Sequence, residues 1–318
     1  MKAFVKKTIL FLLILLGTVI LIEASTCFLV NKNADFKLIG NPKYVVAGHS
    51  HPECAFNDSL ISNFKNISRS GESYFYTYIK VKKILEQNNS IETVFIEYTN
   101  NQIIPEMDNW TWDEEFISDR YTKYSSFMSF NDHTLLIQNA PRAYLNGFLL
   151  SNTVKLSMVM SNDYDYTNKI GGYMYLVRDK TDSILSNSSK TTSKIEVNAN
   201  MSNRISETNL LYLGKTIELI KKYGKKVILI RSPQHPKYTG YENEVAYKEI
   251  LSNRFGNVAY LDFSKFPVSN SDFGDLQHLN HKGAKLFSIW FDELIKSGLL
   301  LKNNKQEFIN EKIKMRQP

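Results

Sequence analysis

The chain has 318 residues, 43% of them hydrophobic and 22% charged, which is enough apolar material to bury one large core or two modest ones. With only 14 Gly and 8 Pro, the composition excludes a disordered, collagen-like or polytopic membrane protein, and no internal period of about 20 to 50 residues marks a repeat array. The net charge of +7 lies mostly at the two ends, in Lys2, Lys6 and Lys7 and in the basic segment 302–318, so the body is close to neutral and no nucleic-acid partner is expected.

Residues 8–22 run without a charge between those lysines and Glu23. At about 1.5 Å per residue this run reaches roughly 22 Å, short of a hydrocarbon core of roughly 30 Å. Two readings follow. A signal peptide has this basic start and apolar middle, but 23–27 (EASTC) offers no clean small-x-small cleavage site. An uncleaved anchor can extend from Ala3 to Val30, with Lys6 and Lys7 snorkelling back to the headgroups, and this is the reading favoured here; Cys27 as a lipidation site is a third option. In either case the lysines stay inside and the domain is exported, facing the periplasm or the cell surface. Cys27 and Cys54 permit a disulfide without requiring one.

Past this segment the pattern predicts a short β-branched strand over 43–48 ending in Gly48, a short helix over 57–64, a weaker strand over 65–70, a helix over 72–87 and a strong strand over 93–99. The rhythm resumes with a helix over 207–223 closed by Gly224, a strand over 226–230, a helix over 242–255, a strand over 258–263 and a closing helix over 280–297. Strands that are continuously apolar imply a parallel sheet covered on both faces, hence a three-layer α/β sandwich. Residues 104–204 break the rhythm. They carry Trp110 and Trp112, a Gly171-Gly172 turn and a Ser/Thr/Asn-rich stretch at 186–202, and they are too long for a loop. This insertion is expected either to fold over the carboxyl ends of the strands, where open α/β sheets bind ligands, or to serve stability alone. Trp110 and Trp112 fit insertion core better than a sugar-stacking surface. The expected organisation is therefore a membrane segment at 1–30, a domain at 40–300 interrupted by the insertion, and a basic tail at 301–318.

Two constellations carry chemistry. Gly48-His49-Ser50-His51 follows the first strand, so the Ser50 hydroxyl is delivered to the carboxyl edge of the sheet and its own N–H is free to hold an oxyanion. Far downstream, Asp275 and His278 lie three apart on a loop before a helix that Asn280 can cap. A serine nucleophile needs a base, and that imidazole needs an acceptor to fix its tautomer. By spacing alone these residues could equally be solvated turn positions. His49 and His51 also allow a metal site with His278 or Asp275, but the rings of a His-x-His turn can point apart, and no metal or cofactor is expected. His235, after the strand at 226–230, is either a substrate contact or an ordinary loop histidine.

Taken in order, these residues resemble the SGNH (GDSL-like) hydrolase superfamily, and in particular its envelope-anchored members associated with acylation of surface polysaccharides. Ser50 matches the nucleophile of the first block, Gly71 in 69–72 (RSGE) the oxyanion-hole glycine, Asn100 in 98–101 (YTNN) the oxyanion-hole asparagine, and Asp275 and His278 the last block. His49 stands where the pattern usually has Asp, Tyr98 where it has Gly, and Asn101 where it has Asp. The resemblance implies a parallel flavodoxin-like sheet, a Ser50-His278-Asp275 mechanism on acyl esters, and an oxyanion hole from Ser50, Gly71 and Asn100. It further implies a surface glycan as substrate and a membrane-bound acyltransferase as partner. His51, Asn101 and His235 are the candidate substrate contacts. A reading of another class is a catalytically silent binding or assembly module of the envelope.

Overall fold

The computed structural model describes residues 1–188, 205–240 and 242–316; most of the 186–202 stretch lies outside them. The chain begins with α1 (Lys2–Asn33), β1 (Tyr44–Ala47), α2 (Ser50–Ala55), β2 (Phe64–Asn66), α3 (Tyr74–Gln87) and β3 (Thr93–Glu97). A run of helices follows, α4 (Asn109–Trp112), α5 (Glu114–Tyr124), α6 (Phe130–Asn139), α7 (Pro141–Ser161) and α8 (Thr181–Ser188). It closes with α9 (Glu207–Lys222), β4 (Lys226–Arg231), α10 (Glu244–Phe255), β5 (Ala259–Asp262), α11 (His281–Lys296) and α12 (Lys305–Lys314). Two compact units result, Met1–Phe36 with Trp112–Lys169, and Lys37–Thr111 with Ile170–Pro318.

The second unit is an α/β domain around one five-stranded sheet in the order β2-β1-β3-β4-β5, with every neighbouring pair parallel. This is the flavodoxin order, and its switch point lies between β1 and β3. Val46 is aligned with Asn66 on one side and Phe95 on the other, and Ile230 with Leu261. The central strands β1, β3 and β4 are buried without alternation because helices cover both faces. On one face Phe56, Phe95, Phe263, Phe287 and Phe291 join Trp290 in an aromatic core. On the other, Phe75 of α3 meets Tyr212 of α9 at 4.8 Å between ring centroids. The Asn280 side chain caps α11 by accepting from Lys282 N–H and Gly283 N–H. Gly283 is required there, since a Cβ would lie 2.2 Å from the Asp272 carbonyl oxygen.

Three differences from the pattern reading have local causes. The helix expected over 57–64 instead begins at Ser50 itself, because Asn66 Nδ2 binds the Pro52 and Phe56 carbonyls and ends it, leaving only one 3-10 turn at Asp58–Leu60. The segment expected as a basic tail carries α12, whose Ile309 and Ile313 are buried in the same aromatic core. The insertion also divides between the units, since 170–188 belongs to the α/β domain.

The first unit is helical. Gly147 lets α7 approach α5 so closely that a Cβ would lie 2.5 Å from Ile117 Cγ2. Phe36 stacks on Tyr166 at 4.6 Å and meets Phe127 edge-on. The last turns of α1 join this core through buried Thr26 and Val30, while residues 1–22 are exposed throughout. By length and composition α1 is a candidate membrane anchor or signal sequence.

Candidate active site

β1 ends at Ala47, and the chain turns at Gly48 against the side chain of Glu97 at the end of β3. A Cβ on residue 48 would lie 2.4 Å from Glu97 Oε2 and 2.5 Å from Glu97 Cβ, so only glycine permits this approach. His49 follows as the N-cap residue and Ser50 opens α2. The Ser50 hydroxyl lies 2.8 Å from His278 Nε2, across 228 positions of sequence. His278 Nδ1 in turn faces Asp275 Oδ1 at 2.8 Å and Oδ2 at 3.0 Å. A carboxylate on Nδ1 fixes that nitrogen as the proton donor, which leaves Nε2 to accept from the serine.

The loop bearing Asp275 and His278 is held from several sides. Asp275 Oδ1 accepts from Gln277 N–H at 2.8 Å and from His278 N–H at 3.0 Å. Gly274 N–H donates to the His278 carbonyl, His235 N–H to the Leu276 carbonyl, and Asn280 Nδ2 to the Ser271 and Phe273 carbonyls. Arg178, from the end of the insertion, donates to Asp275 Oδ2 at 2.5 Å. Burial pushes the Asp275 carboxyl up, but the hydrogen bonds from His278, Gln277 N–H and Arg178 outweigh it and hold the group well below the usual carboxylate range. Burial lowers the His278 imidazole, and its bond to Asp275 only partly restores it. The pair at neutral pH is therefore an ionised carboxylate beside a neutral base.

Beneath the serine lies a second, fully buried cluster. Glu97 Oε2 accepts from His49 N–H at 2.8 Å, and its Oε1 lies 3.4 Å from His49 Nε2 and 3.1 Å from His51 Nδ1. Burial drives the His49 imidazole down to about 3, so it is neutral. Burial pushes the Glu97 carboxyl up, but electrostatic interaction with His49 and the hydrogen bonds from His51 and from His49 N–H outweigh it and hold the group below its ordinary value. Its carboxylate, reaching across from β3, organises the turn that carries His49 and Ser50. His49 Nε2, His51 Nδ1 and a Glu97 oxygen lie within 4.8 Å of one another, and among the described residues they are the group that could hold a metal ion.

The remaining sequence candidates divide. Asn100 requires a correction as oxyanion donor: its Nδ2 is spent on Asn243 Oδ1 at 3.0 Å and Glu244 Oε2 at 2.9 Å, and its Oδ1 accepts from Arg231. Asn101 lies beside the turn, with Oδ1 at 3.3 Å from His49 Nε2 and accepting from Thr99 Oγ1 at 2.6 Å. His235 is likewise corrected as a substrate contact. It is buried, its Nε2 faces Asn270 Oδ1 at 3.0 Å, and its Nδ1 accepts from Lys237 N–H at 3.1 Å. His51 is buried against Glu97, with its ring 5.2 Å from that of His278 and its Nε2 without a hydrogen-bond partner among the described residues. Gly71, with φ of +66°, turns the loop whose Arg69 N–H bonds the Gly48 carbonyl. The half-buried Trp110 meets His49 edge-on at 5.4 Å and so belongs beside the turn. A cavity of about 680 Å³ lined by Arg231, Gln234, Lys248, Lys265 and Phe266 opens beyond the ends of β4 and β5. Gln234 links it to the turn through His51 Nδ1, 3.4 Å away.

Sequence reasoning passed over Glu97 and Arg178. Glu97 had a signal, a carboxylate closing a strand buried on both faces, which must find partners. Arg178 had none, since it reaches Asp275 across 97 positions.

A protein-family model that carries no functional description matches residues 155–300, less than half of the chain. No curated protein matches it. Among solved structures, one from Bacteroides fragilis, provisionally described as an acylhydrolase, is similar at 11% identity and a TM-score of 0.37, covering 84% of this chain and 94% of that one.

Proposed function

We propose that the protein is a membrane-anchored, exported serine esterase or O-acyltransferase of the SGNH type, acting on acetyl or other acyl esters of a surface glycan. The observation that carries this reading is the linear relay from Ser50 Oγ to His278 Nε2 at 2.8 Å and from His278 Nδ1 to Asp275 Oδ1 at 2.8 Å. His278 takes the Ser50 proton as the oxygen attacks the ester carbonyl, and Asp275 stabilises the imidazolium that forms. Ser50 N–H, Gly71 N–H and the Asn101 amide are the oxyanion donors in this reading. Protonated His278 then gives its proton to the departing alcohol. Water completes hydrolysis, and a sugar hydroxyl completes transfer. The +3 charge of the first residues before the apolar run favours an outward-facing domain, and a glycan-bound acyl group could come from a membrane-bound acyltransferase partner.

The test is turnover of p-nitrophenyl acetate by the full chain. Ser50→Ala and His278→Ala are each expected to lower kcat by about 10⁴-fold or more, with the double variant hardly worse than either single one. Equal rates in the wild type and Ser50→Ala would leave the catalytically silent envelope module as the better reading.

A further inference from the structure

Within the helical unit, α7 leaves a row of large apolar side chains exposed, beside exposed Arg142, Asn146 and Thr153. The residues it buries are Gly147, Ser151, Lys155 and Met158, small or polar for the most part. Its outward face carries Leu145, Leu149, Leu156 and Met160, exposed by 56%, 57%, 44% and 79%. These positions are spaced four, seven and four apart, so they line one side of the helix. A water-facing helix has the opposite arrangement, and an outward leucine stripe of this length marks contact with an apolar phase.

The occupant follows from α1. That helix runs unbroken from its exposed apolar stretch into the helical unit, so no linker separates the unit from whatever the stretch enters. Lys155 of α7 pairs with Glu23, the first charged residue after the apolar run, one residue or about 1.5 Å past its end. This pair ties the middle of α7 to the level at which α1 leaves the hydrocarbon.

We infer that the Leu145–Met160 face of α7 lies in the bilayer at the headgroup–acyl boundary, a second membrane contact beside α1. The inference rests on the reading of α1 as a retained anchor. It gives the chain an interfacial helix in addition to a span, and so a fixed height of the helical unit against the membrane.

The test uses the full chain in phosphatidylcholine–phosphatidylglycerol vesicles, with Cys27 replaced by Ser and Cys54 left in place, buried in the core. An environment-sensitive fluorophore is attached at Leu149→Cys, and in separate samples at Leu15→Cys in α1 and at Glu249→Cys on the α/β domain. Brominated acyl chains are expected to quench the labels at 15 and 149, lowering the intensity at 149 by roughly half, as for a site about 5–10 Å into the boundary. The label at 249 should be unaffected. Quenching at 15 but not at 149 overturns the inference while leaving the anchor intact. Absence of quenching at both overturns the anchor reading, and the inference with it. Cross-linking of residue 149 to its counterpart in a second copy, without lipid quenching, assigns the face to self-association and also overturns the inference.

Discussion

Ser50 lies between two imidazoles, each with a carboxylate at its far nitrogen, that differ in burial. His278, hydrogen-bonded to ionised Asp275 and partly exposed, is the stronger base, while His49, with its Nδ1 at 3.3 Å from Ser50 Oγ, is fully buried and driven down to about 3. The pH profile should reflect the first of these. His278 must be neutral to accept the proton, and burial holds it below the usual 6.5, so kcat/KM should fall as pH drops through a midpoint under 6.5 and be flat from there through neutrality. Asp275 remains ionised across that range and adds no limb. A midpoint above 7 would mean that the base is a different group. The Glu97 cluster makes a separate prediction. Glu97→Gln loses one acceptor for the His49 and His51 protons and should cost about 1–3 kcal/mol in denaturant unfolding, together with slower turnover as the turn loosens. If the cluster works without a metal ion, excess EDTA should leave the wild-type rate unchanged. Loss of rate on chelation, restored by zinc, would make it a metal site.

Each helix and strand delivers chemistry only at its end, and this is why the site was partly legible before the fold was known. Ser50 could be placed because a β-branched run ending in glycine announces a strand and a turn. Asp275 and His278 could be placed because Asn280 marks the start of a helix directly after them. That the sheet is parallel and covered on both faces was legible in the continuous apolarity of its main strands. The choice between Asn100 and Asn101 was not, because the chain enters a 3-10 turn at Asn100–Ile103, and adjacent side chains on such a turn point in different directions. Asn100 ended up tying β3 to α10 through Asn243, Glu244 and Arg231, partners that no local pattern reveals. Asn100→Ala should therefore act on stability, by about 1–3 kcal/mol, with little effect on any turnover by the folded protein. Asn101→Ala should do the reverse, lowering kcat by about 10²–10³-fold with KM little changed. Denaturant melts and steady-state kinetics of the two variants separate these roles, and a kinetic loss confined to Asn100→Ala would restore the original alignment.

At the scale of the whole molecule, a parallel α/β domain carries the Ser50 constellation at the carboxyl edge of its sheet, and a helical unit carries the apolar N-terminal helix. The insertion contributes to both, giving α5–α7 to one and Arg178 to the other. The proposed reaction requires that Ser50 be an activated nucleophile and not a turn serine. The most direct measurement is labelling of the intact protein with a fluorophosphonate, with the modified residue located by peptide mass spectrometry. Stoichiometric modification of Ser50 in the wild type, abolished in His278→Ala and strongly slowed in Asp275→Ala, is the predicted result. A wild-type Ser50 that stays unmodified while a control serine hydrolase in the same tube is fully labelled would contradict it.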